Sequence, residues 1–157
     1  MRTLRVYVDT SVFGGVFDDE FAEPSRRFFD RVRAGEFIVL VSETTLGEIA
    51  GAPRHIRDFF DDMPQDSLVE TADSPEVEDL TQAYIAAGVV TVGHLADARH
   101  VAAAVVAEAD FVLSWNFRHL VNYRRQRGYN AISELNGYRR IRILSPLEVF
   151  HDEEQDV

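Results

Sequence analysis

The chain has 157 residues, of which 46% are hydrophobic, and a formal net charge of −11. This length suits one domain with a substantial core and is too short for two ordinary domains. Cysteine is absent, which excludes disulfides and thiolate metal sites and fits a reducing compartment. No stretch reaches the roughly 20 apolar residues of a membrane span, and the N-terminus lacks the apolar run of a signal peptide. We therefore expect a soluble, cytoplasmic protein that does not associate with membranes.

The predicted elements alternate between strands and helices. Short apolar runs rich in β-branched and aromatic residues predict strands, and helical patterns lie between them. The predicted strands are Leu4–Val8, Phe37–Val41, Ser67–Glu70, Phe111–Ser114 and Ile141–Leu144. The predicted helices are Pro24–Ala34, Glu43–Ala50, Arg54–Asp61, Pro75–Ala87 and His94–Glu108. This order favours a single α/β domain over residues 1–150, with a central parallel sheet of four to five strands and helices on both faces. Residues 151–157 are expected to form a flexible acidic tail.

Asp9 directly follows the first predicted strand, in the sequence VYVDTS. Right-handed crossovers bring the carboxyl ends of parallel strands to one edge of the sheet, where ligand crevices form. We therefore expect Asp9, Ser42 and residues 114–116 to share that edge. Taken alone, Asp9 fits a turn or a helix N-cap better than a functional site.

The segment VSETTLGEIAGAP carries two acids on one predicted helix. Glu43 and Glu48 are five residues apart and point about 140° away from each other, so they do not serve one site together. Glu43 belongs to the first turn, where a carboxylate complements the helix dipole. Glu48 lies between Leu46 and Ile49 on the side expected to turn inward, which makes it the site candidate, although an exposed helix position fits it equally well.

Asp97 begins a stripe of small and apolar residues in the helix HLADARHVAAAVVAEAD. Val101, Ala104, Val105 and Glu108 follow it at helical spacing. A carboxylate on the inward side needs a partner, which first-turn amides, a neighbouring cation or a metal ion would supply. Three acids gathered at one sheet edge would repel one another unless a cation compensates them. Oxygen ligands alone favour Mg²⁺ or Mn²⁺ over Zn²⁺.

The acidic net charge conceals a basic segment between Phe111 and Arg142. Seven arginines stand there against one acid, Glu134, which gives a local charge of +6. All 16 basic residues of the chain are arginines, whose planar guanidinium group suits phosphate contacts. Charge alone predicts a solvated helix face and a surface that follows a phosphate backbone equally well.

These pieces together resemble the PIN-domain family, and within it most closely the VapC-type toxin ribonucleases. The resemblance rests on DTSVF after the first strand, VSETTLGEIAG, LADARHVAAAVVAEADFVLSWNFRHL and SPLEV, which occur in the family's order. It implies an α/β sandwich and Mg²⁺- or Mn²⁺-dependent endonucleolytic cleavage of single-stranded or loop RNA. It also implies a homodimer and inhibition by a cognate antitoxin, as in a type II toxin–antitoxin pair.

The resemblance also assigns residues to the site. The family's metal-binding and catalytic acids match three residues of this chain: Asp9, Glu48 and Asp97. Asn116, also assigned to catalysis, stands where members often have a fourth acid; an amide there can orient water or donate to phosphate. Ser11 and Ser114 are expected to support the metal ligands through hydrogen bonds, although Ser11 also fits a helix N-cap.

The arginine-rich segment would line the RNA path in such a ribonuclease, because it directly follows the fourth predicted strand. The expected RNA contacts are Arg118, Arg124 and Arg125. Trp115 fits packing beside Phe117 better than stacking on a base. His100 fits a packing position better than a place in the site, and His119 receives no catalytic role.

Other functions remain open at this point. A catalytically weak RNA- or protein-binding domain of the same fold is favoured by Asn116, an amide in place of an acid. A haloacid-dehalogenase-like phosphatase also has Asp after its first strand, but it needs an acid two residues later, where this chain has Ser11. A structure-specific DNA nuclease would share the acids but needs more chain for its helical clamp.

Overall fold

The computed structural model describes the backbone of residues 2–155 and the side chains of residues 2–150. Within this range one parallel sheet has the order β3-β2-β1-β4-β5. Its strands are β1 (Leu4–Val8), β2 (Phe37–Val41), β3 (Leu68–Glu70), β4 (Phe111–Leu113) and β5 (Arg142–Leu144). The α-helices are α1 (Thr10–Gly15), α2 (Ala22–Arg33), α3 (Glu43–Ala50), α4 (Arg54–Asp61), α5 (Pro75–Ala86), α6 (Leu95–Val106), α7 (Tyr123–Leu135) and α8 (Pro146–Gln155). The expected single α/β fold with a central parallel sheet of four to five strands is confirmed.

β1 is the central strand, and both of its faces are covered. Its residues pair with β2 on one side and with β4 on the other, with Val6 opposite both Val39 and Phe111. Val6 and Val8 face a core rich in phenylalanine under α1, α2 and α4, whereas Tyr7 faces the core formed with α5, α6 and α7. Burial on both faces explains why residues 6–8 of the strand are all apolar rather than alternating.

Three of the predicted helices, α2, α5 and α6, differ from the structure by one or two residues at one or both ends. α2 ends at Arg33, and Gly35 adopts a φ of +84°, a conformation that glycine reaches without a steric cost. α6 ends at Val106, and Glu108 has a φ of +57° and is exposed. The prediction that Glu108 continues the buried stripe is therefore wrong, because the chain has left the helix by that residue.

Three helices were not among the predicted elements: α1, α7 and α8. α8 carries the backbone as far as Gln155, so residues 151–155 of the expected tail are helical, and residues 156–157 lie outside the described residues. Between residues 2 and 155, no helix is both long and apolar enough to cross a membrane.

Candidate active site at the carboxyl edge of the sheet

The strand order reverses at β1, because β2 and β3 lie on one side of it and β4 and β5 on the other. Crevices outside the carboxyl ends of the strands at such a reversal are the usual ligand sites of open α/β sheets. Asp9 follows β1 and donates its backbone N–H to the carbonyl of Leu113, at the end of β4, over 2.9 Å. The first acid is therefore fixed at the centre of this edge.

The Asp9 carboxylate is buried and held by two hydroxyl groups. Its side chain makes no cap hydrogen bond to α1, although Asp9 occupies the N-cap position. Instead, Asp9 Oδ2 accepts hydrogen bonds from Ser11 Oγ and Ser114 Oγ, each at 2.7 Å. The same hydroxyl oxygens accept the backbone N–H groups of Trp115 and Asn116, both at 2.9 Å. The two serines thus tie the carboxylate to the chain that leaves β4.

Glu48 and His100 meet Asp9 at this edge, and we call Asp9, Glu48 and His100 the inner cluster. One ligand atom from each residue lies within 4.8 Å of the other two. His100 Nε2 is hydrogen-bonded to Glu48 Oε1 and lies 3.5 Å from Asp9 Oδ1. Thr10 Oγ1 also donates to Glu48 Oε1, over 3.3 Å. Three segments that are far apart in the sequence therefore supply one compact group of polar atoms.

The start of α3 sets the position of Glu48. Ser42 follows β2 and forms a capping box with Thr45, which fixes the first turn of the helix at the sheet edge. Glu48 is then directed to the inner cluster, and Glu43 is exposed next to Asp73. A hydrogen bond with Asp73 raises the pKa of Glu43, which places this acid in a separate acidic surface region.

His100 provides the positive charge of the inner cluster. It is only 1% exposed, and its Nδ1 lies 2.6 Å from the hydroxyl of Tyr7. Burial acts to lower the pKa of His100, but Tyr7, the hydrogen bond to Glu48 and the charge of Asp9 together raise it to about 10. Burial acts to raise the pKa of Glu48, but the hydrogen bond and charge of His100 outweigh it and lower that pKa. At neutral pH His100 is therefore an imidazolium ion that balances the two acids.

Asp97 lies outside the inner cluster but interacts with it. Asn116 Nδ2 donates to Asp97 Oδ1 over 3.3 Å, and the Asn116 backbone bonds to Ser114 Oγ, which holds Asp9. Burial and the charge of Asp9 raise the pKa of Asp97, and this rise is opposed by three neighbouring histidines. Asp97 thus carries an electrostatic cost that the described residues do not fully relieve.

Asp97 also belongs to a second group, His94, Asp97 and His119, which we call the outer cluster. One ligand atom from each of the three lies within 4.8 Å of the others. The rings of His94 and His119 lie with their centroids 3.7 Å apart and an interplanar angle of 30°. Burial and the neighbouring His94 lower the pKa of His119, so its imidazole is neutral at neutral pH.

The amide of Asn116 suits its neighbours better than a carboxylate would. Its Oδ1 accepts the backbone N–H groups of Arg118 at 3.2 Å and His119 at 3.0 Å. These two donors identify the oxygen, which leaves the NH₂ group to donate to Asp97. An acid at this position would accept the same backbone bonds but would repel Asp97.

Trp115 packs in the core, as its sequence context favours. It is 6% exposed, stacks on Phe21 with ring centroids 4.1 Å apart, and donates from Nε1 to Ser25 Oγ over 2.8 Å. A Cβ on Gly15 would lie 2.7 Å from Trp115 Nε1, so only glycine lets α1 approach this ring. Phe117 beside it is 47% exposed.

The three predicted RNA contacts have different environments. Arg118 and Arg124 are exposed, whereas Arg125 is half-buried and donates to the carbonyl of Val89. Sequence analysis assigned no role to His100, whose bond to Glu48 spans 52 residues and depends on the packing of α3 beside α6. The available signal was its position three residues after Asp97, on the buried side of the same helix.

Comparison with known proteins supports the fold. No family model matches this chain, and no curated protein matches it by sequence. Among solved structures, the chain is similar to one in the crystal structure of VapBC2 from Rickettsia felis bound to a DNA fragment from their promoter. The two share 9% identity with a TM-score of 0.58 over 90% of this chain and 98% of the other. A likeness at this identity establishes the architecture, and the expected PIN-like α/β fold is confirmed.

Proposed function

We propose that this protein is an Mg²⁺- or Mn²⁺-dependent endoribonuclease that cleaves single-stranded or loop RNA. The observation that carries the proposal is the inner cluster. It brings carboxylate oxygens of Asp9 and Glu48 within 4.8 Å of each other at the carboxyl edge of a parallel sheet. Asp97 interacts with Asp9 by charge and is linked to it through Asn116 and Ser114. The likeness in fold to a chain of a VapBC2 complex agrees with this assignment.

The residues at this edge fit a divalent cation. Asp97 has a raised pKa because it is partly desolvated and repelled by Asp9, and the attraction of a nearby cation would offset both effects. The donors proposed for the ion are the carboxylates of Asp9, Glu48 and Asp97, which suit Mg²⁺ and Mn²⁺. A bound divalent cation supplies Lewis-acid chemistry: it neutralises charge that accumulates on the phosphate and lowers the pKa of water.

The remaining residues would position the acids. Ser11 and Ser114 hold Asp9 Oδ2 in one orientation, and Thr10 donates to Glu48. Asn116 donates to Asp97, so an amide in place of a fourth acid lowers the negative charge of the site and anchors one carboxylate. Hydrogen-bonded partners of this kind fix the orientation of metal ligands and typically affect activity by about 10–100-fold.

RNA is the proposed substrate because of the basic segment that follows β4. Arg118 and Arg124 are exposed there, and Arg118 lies two residues after Asn116. Arginines beside the edge would contact the phosphate groups of a strand that enters the site. The net charge of −11 over the whole chain disfavours broad nucleic-acid binding, so the contact would be confined to this segment.

We further propose that the protein acts as the toxin of a pair and is inhibited by an antitoxin protein. The support is its likeness in fold to a chain from the VapBC2 complex. Homodimerisation stays a prediction of the family resemblance. Sedimentation of the purified chain, alone and with the product of a neighbouring gene, would measure both associations.

Cleavage assays with matched variants test the nuclease proposal. Glu48→Gln should reduce Mg²⁺-dependent cleavage of a single-stranded RNA by more than about 100-fold, because it removes a direct ligand rather than a supporting partner. Asp9→Asn should do the same. Glu43→Gln is the matched control, since Glu43 lies on the same helix but outside the inner cluster, and its activity should equal that of the wild type.

The main alternative is a catalytically weak RNA- or protein-binding domain with the same fold. It predicts RNA binding without cleavage, and no response of RNA integrity to Mg²⁺ or to the Glu48 variant. Wild-type cleavage that persists unchanged in excess chelator would contradict the metal-dependent mechanism itself.

A further inference from the structure

The outer cluster differs chemically from the inner cluster. It combines two imidazoles with one carboxylate, whereas the acids proposed for the nuclease site offer only oxygen. His94 directly precedes α6, Asp97 lies in its first turn and His119 follows β4. The ligand atoms lie within 4.8 Å of one another. Tetrahedral ligands of one ion stand about 3.3 Å apart, so small side-chain movements would bring this group to the spacing of a bound site.

His119, a member of this group, has an unpartnered ring nitrogen. Among the described residues, His119 Nδ1 is buried and has no hydrogen-bond partner. A buried polar atom left in this way costs about 1–3 kcal/mol, and native structures contain few of them. A ligand that accepts a nitrogen lone pair would account for it, whereas stacking on His94 leaves that nitrogen without a partner.

The backbone around His119 is fixed before any ligand binds. Its N–H donates to Asn116 Oδ1 over 3.0 Å, and its carbonyl accepts a hydrogen bond from the Tyr129 hydroxyl over 3.2 Å. His94 is the most exposed member of the cluster, with 43% of its side chain accessible. The backbone of His119 is therefore fixed in advance, whereas the more exposed side chain of His94 can change its conformation. The solvent side of the cluster also leaves positions open for water ligands.

We propose that His94, Asp97 and His119 form a second metal site, which binds borderline transition-metal ions such as Zn²⁺ or Co²⁺ in preference to Mg²⁺. Two imidazoles and one carboxylate are the donor set of many three-ligand sites for these ions. Mg²⁺ binds oxygen and gives up its waters reluctantly, so the two nitrogen donors select against it. The site goes beyond the nuclease assignment and does not depend on it, although both include Asp97.

Binding of the metal alone tests the site without any activity measurement. Tag-free protein would be titrated with Zn²⁺ by calorimetry in excess Mg²⁺, and with Co²⁺ by visible absorption, whose intensity reports nitrogen ligation and low coordination number. The wild type should bind one equivalent of Zn²⁺. His94→Ala and His119→Gln should each weaken binding at least tenfold. His55→Ala is the matched control, because His55 packs on Phe17 outside the cluster and its loss should change nothing.

Variants of the inner cluster separate this proposal from the nuclease proposal. Asp9→Asn and Glu48→Gln should abolish RNA cleavage and leave Zn²⁺ affinity within about twofold of the wild type. Zn²⁺ binding that is lost in Asp9→Asn but retained in His94→Ala would place the ion in the inner cluster and overturn the proposal. Absence of Zn²⁺ uptake by the wild type in excess Mg²⁺ would also overturn it. His94 is exposed, so its variant stays informative even if His119→Gln is unstable.

Discussion

The inner and outer clusters lie beside each other at one sheet edge but balance their charges differently. In the inner cluster, a buried imidazolium, His100, bonds to Glu48 and lies 3.5 Å from the carboxylate of Asp9. In the outer cluster, Asn116 donates a hydrogen bond to Asp97, His94 Nδ1 lies 3.9 Å from Asp97 Oδ2, and His119 is neutral at neutral pH. The inner cluster therefore holds a buried cation beside both of its acids, whereas Asp97 in the outer cluster has only the longer contact with the more exposed His94.

This difference shows two ways in which the fold accommodates closely spaced acids. Ser11 and Ser114 hold the Asp9 carboxylate through hydrogen bonds, so its position does not depend on a bound ion. Asp97 keeps a raised pKa because its desolvation and its repulsion by Asp9 are incompletely relieved. The inner cluster is organised in advance, and the outer cluster retains electrostatic energy that a bound cation would release.

Removal of Trp115 should have the largest effect, because it breaks the packing behind the inner cluster. Its ring fills the space above Gly15 and against Phe21, and its N–H satisfies Ser25. Trp115→Ala should lower the free energy of unfolding by about 3–5 kcal/mol, measured by denaturant titration. Phe117→Ala, in the same segment but 47% exposed, should cost less than about 1 kcal/mol. Equal losses in the two variants would show that the Trp115 environment is not a core.

Replacement of His100 should remove the internal cation. His100→Gln leaves Asp9 and Glu48 without a positive partner and should lower the free energy of unfolding by about 1–3 kcal/mol in the absence of metal. A divalent ion bound only to the folded state stabilises it, and the gain in melting temperature with Mg²⁺ should be larger for the variant than for the wild type. An identical gain in both proteins would mean that His100 does not balance the charge of the acids.

Replacement of Asp97 should act in the opposite direction. Asp97→Asn removes a partly desolvated charge that Asp9 repels, so in metal-free protein at neutral pH it should raise the free energy of unfolding by on the order of 1 kcal/mol. The pKa of Asp97 is higher in the folded state than in the unfolded state, so protonation of Asp97 favours folding. The stability that this protonation contributes is fully present below the unfolded-state pKa and is lost as the pH rises through the folded-state pKa. The advantage of the variant should therefore shrink in acid.

Thermal melts of both proteins between pH 4 and pH 7.5 would measure this difference. Asp110→Asn is the contrasting variant, because the bonds and charges of Arg5 and Arg2 outweigh burial and lower the pKa of Asp110. That variant should lose stability at neutral pH. A destabilised Asp97→Asn at neutral pH would show that the hydrogen bond from Asn116 outweighs the repulsion.

The sequence predicts many of the helices and strands, because most of them have a recognisable local pattern of apolar, turn or capping residues. β1, β2, α3 and α4 have the predicted bounds, since each is an apolar or amphipathic run between turn or cap residues. α1 has six residues and begins directly after Asp9, so it is too short to show a helical period. α7 buries only Tyr129, Asn130 and Ser133, and its polar sequence resembles a solvated segment.

The sequence predicts the position of a candidate site residue only where the topology of the backbone determines that position. Asp9 and Glu48 reach the edge because strand ends and the helix that follows them lie there in any parallel sheet. The bond between His100 and Glu48 depends instead on the contact of α6 with α3, which no local pattern encodes. The outer cluster likewise joins His94 to His119 across 25 positions of the sequence, so single histidines gave no metal-ligand spacing.

The smallest predicted effect concerns the basic segment beside the outer cluster. Arg124 is exposed, so Arg124→Ala should leave the melting temperature unchanged while RNA binding weakens. For single-stranded RNA, loss of one phosphate contact should reduce the slope of log affinity against log salt by about 0.7. Filter binding at several salt concentrations would measure this slope.

Arg125 provides a second test of the basic segment, because its side chain is already hydrogen-bonded within the fold. Its guanidinium donates to the Val89 carbonyl, so Arg125→Ala should lower the melting temperature and leave that buried carbonyl without its bond. If Arg125 serves the fold alone, its variant keeps the wild-type salt slope, whereas Arg124→Ala does not. An unchanged slope in both variants would remove the basic segment from the RNA path and confine recognition to the acids at the sheet edge. The distinction matters because a guanidinium that is already hydrogen-bonded within the fold has fewer donors to offer a phosphate.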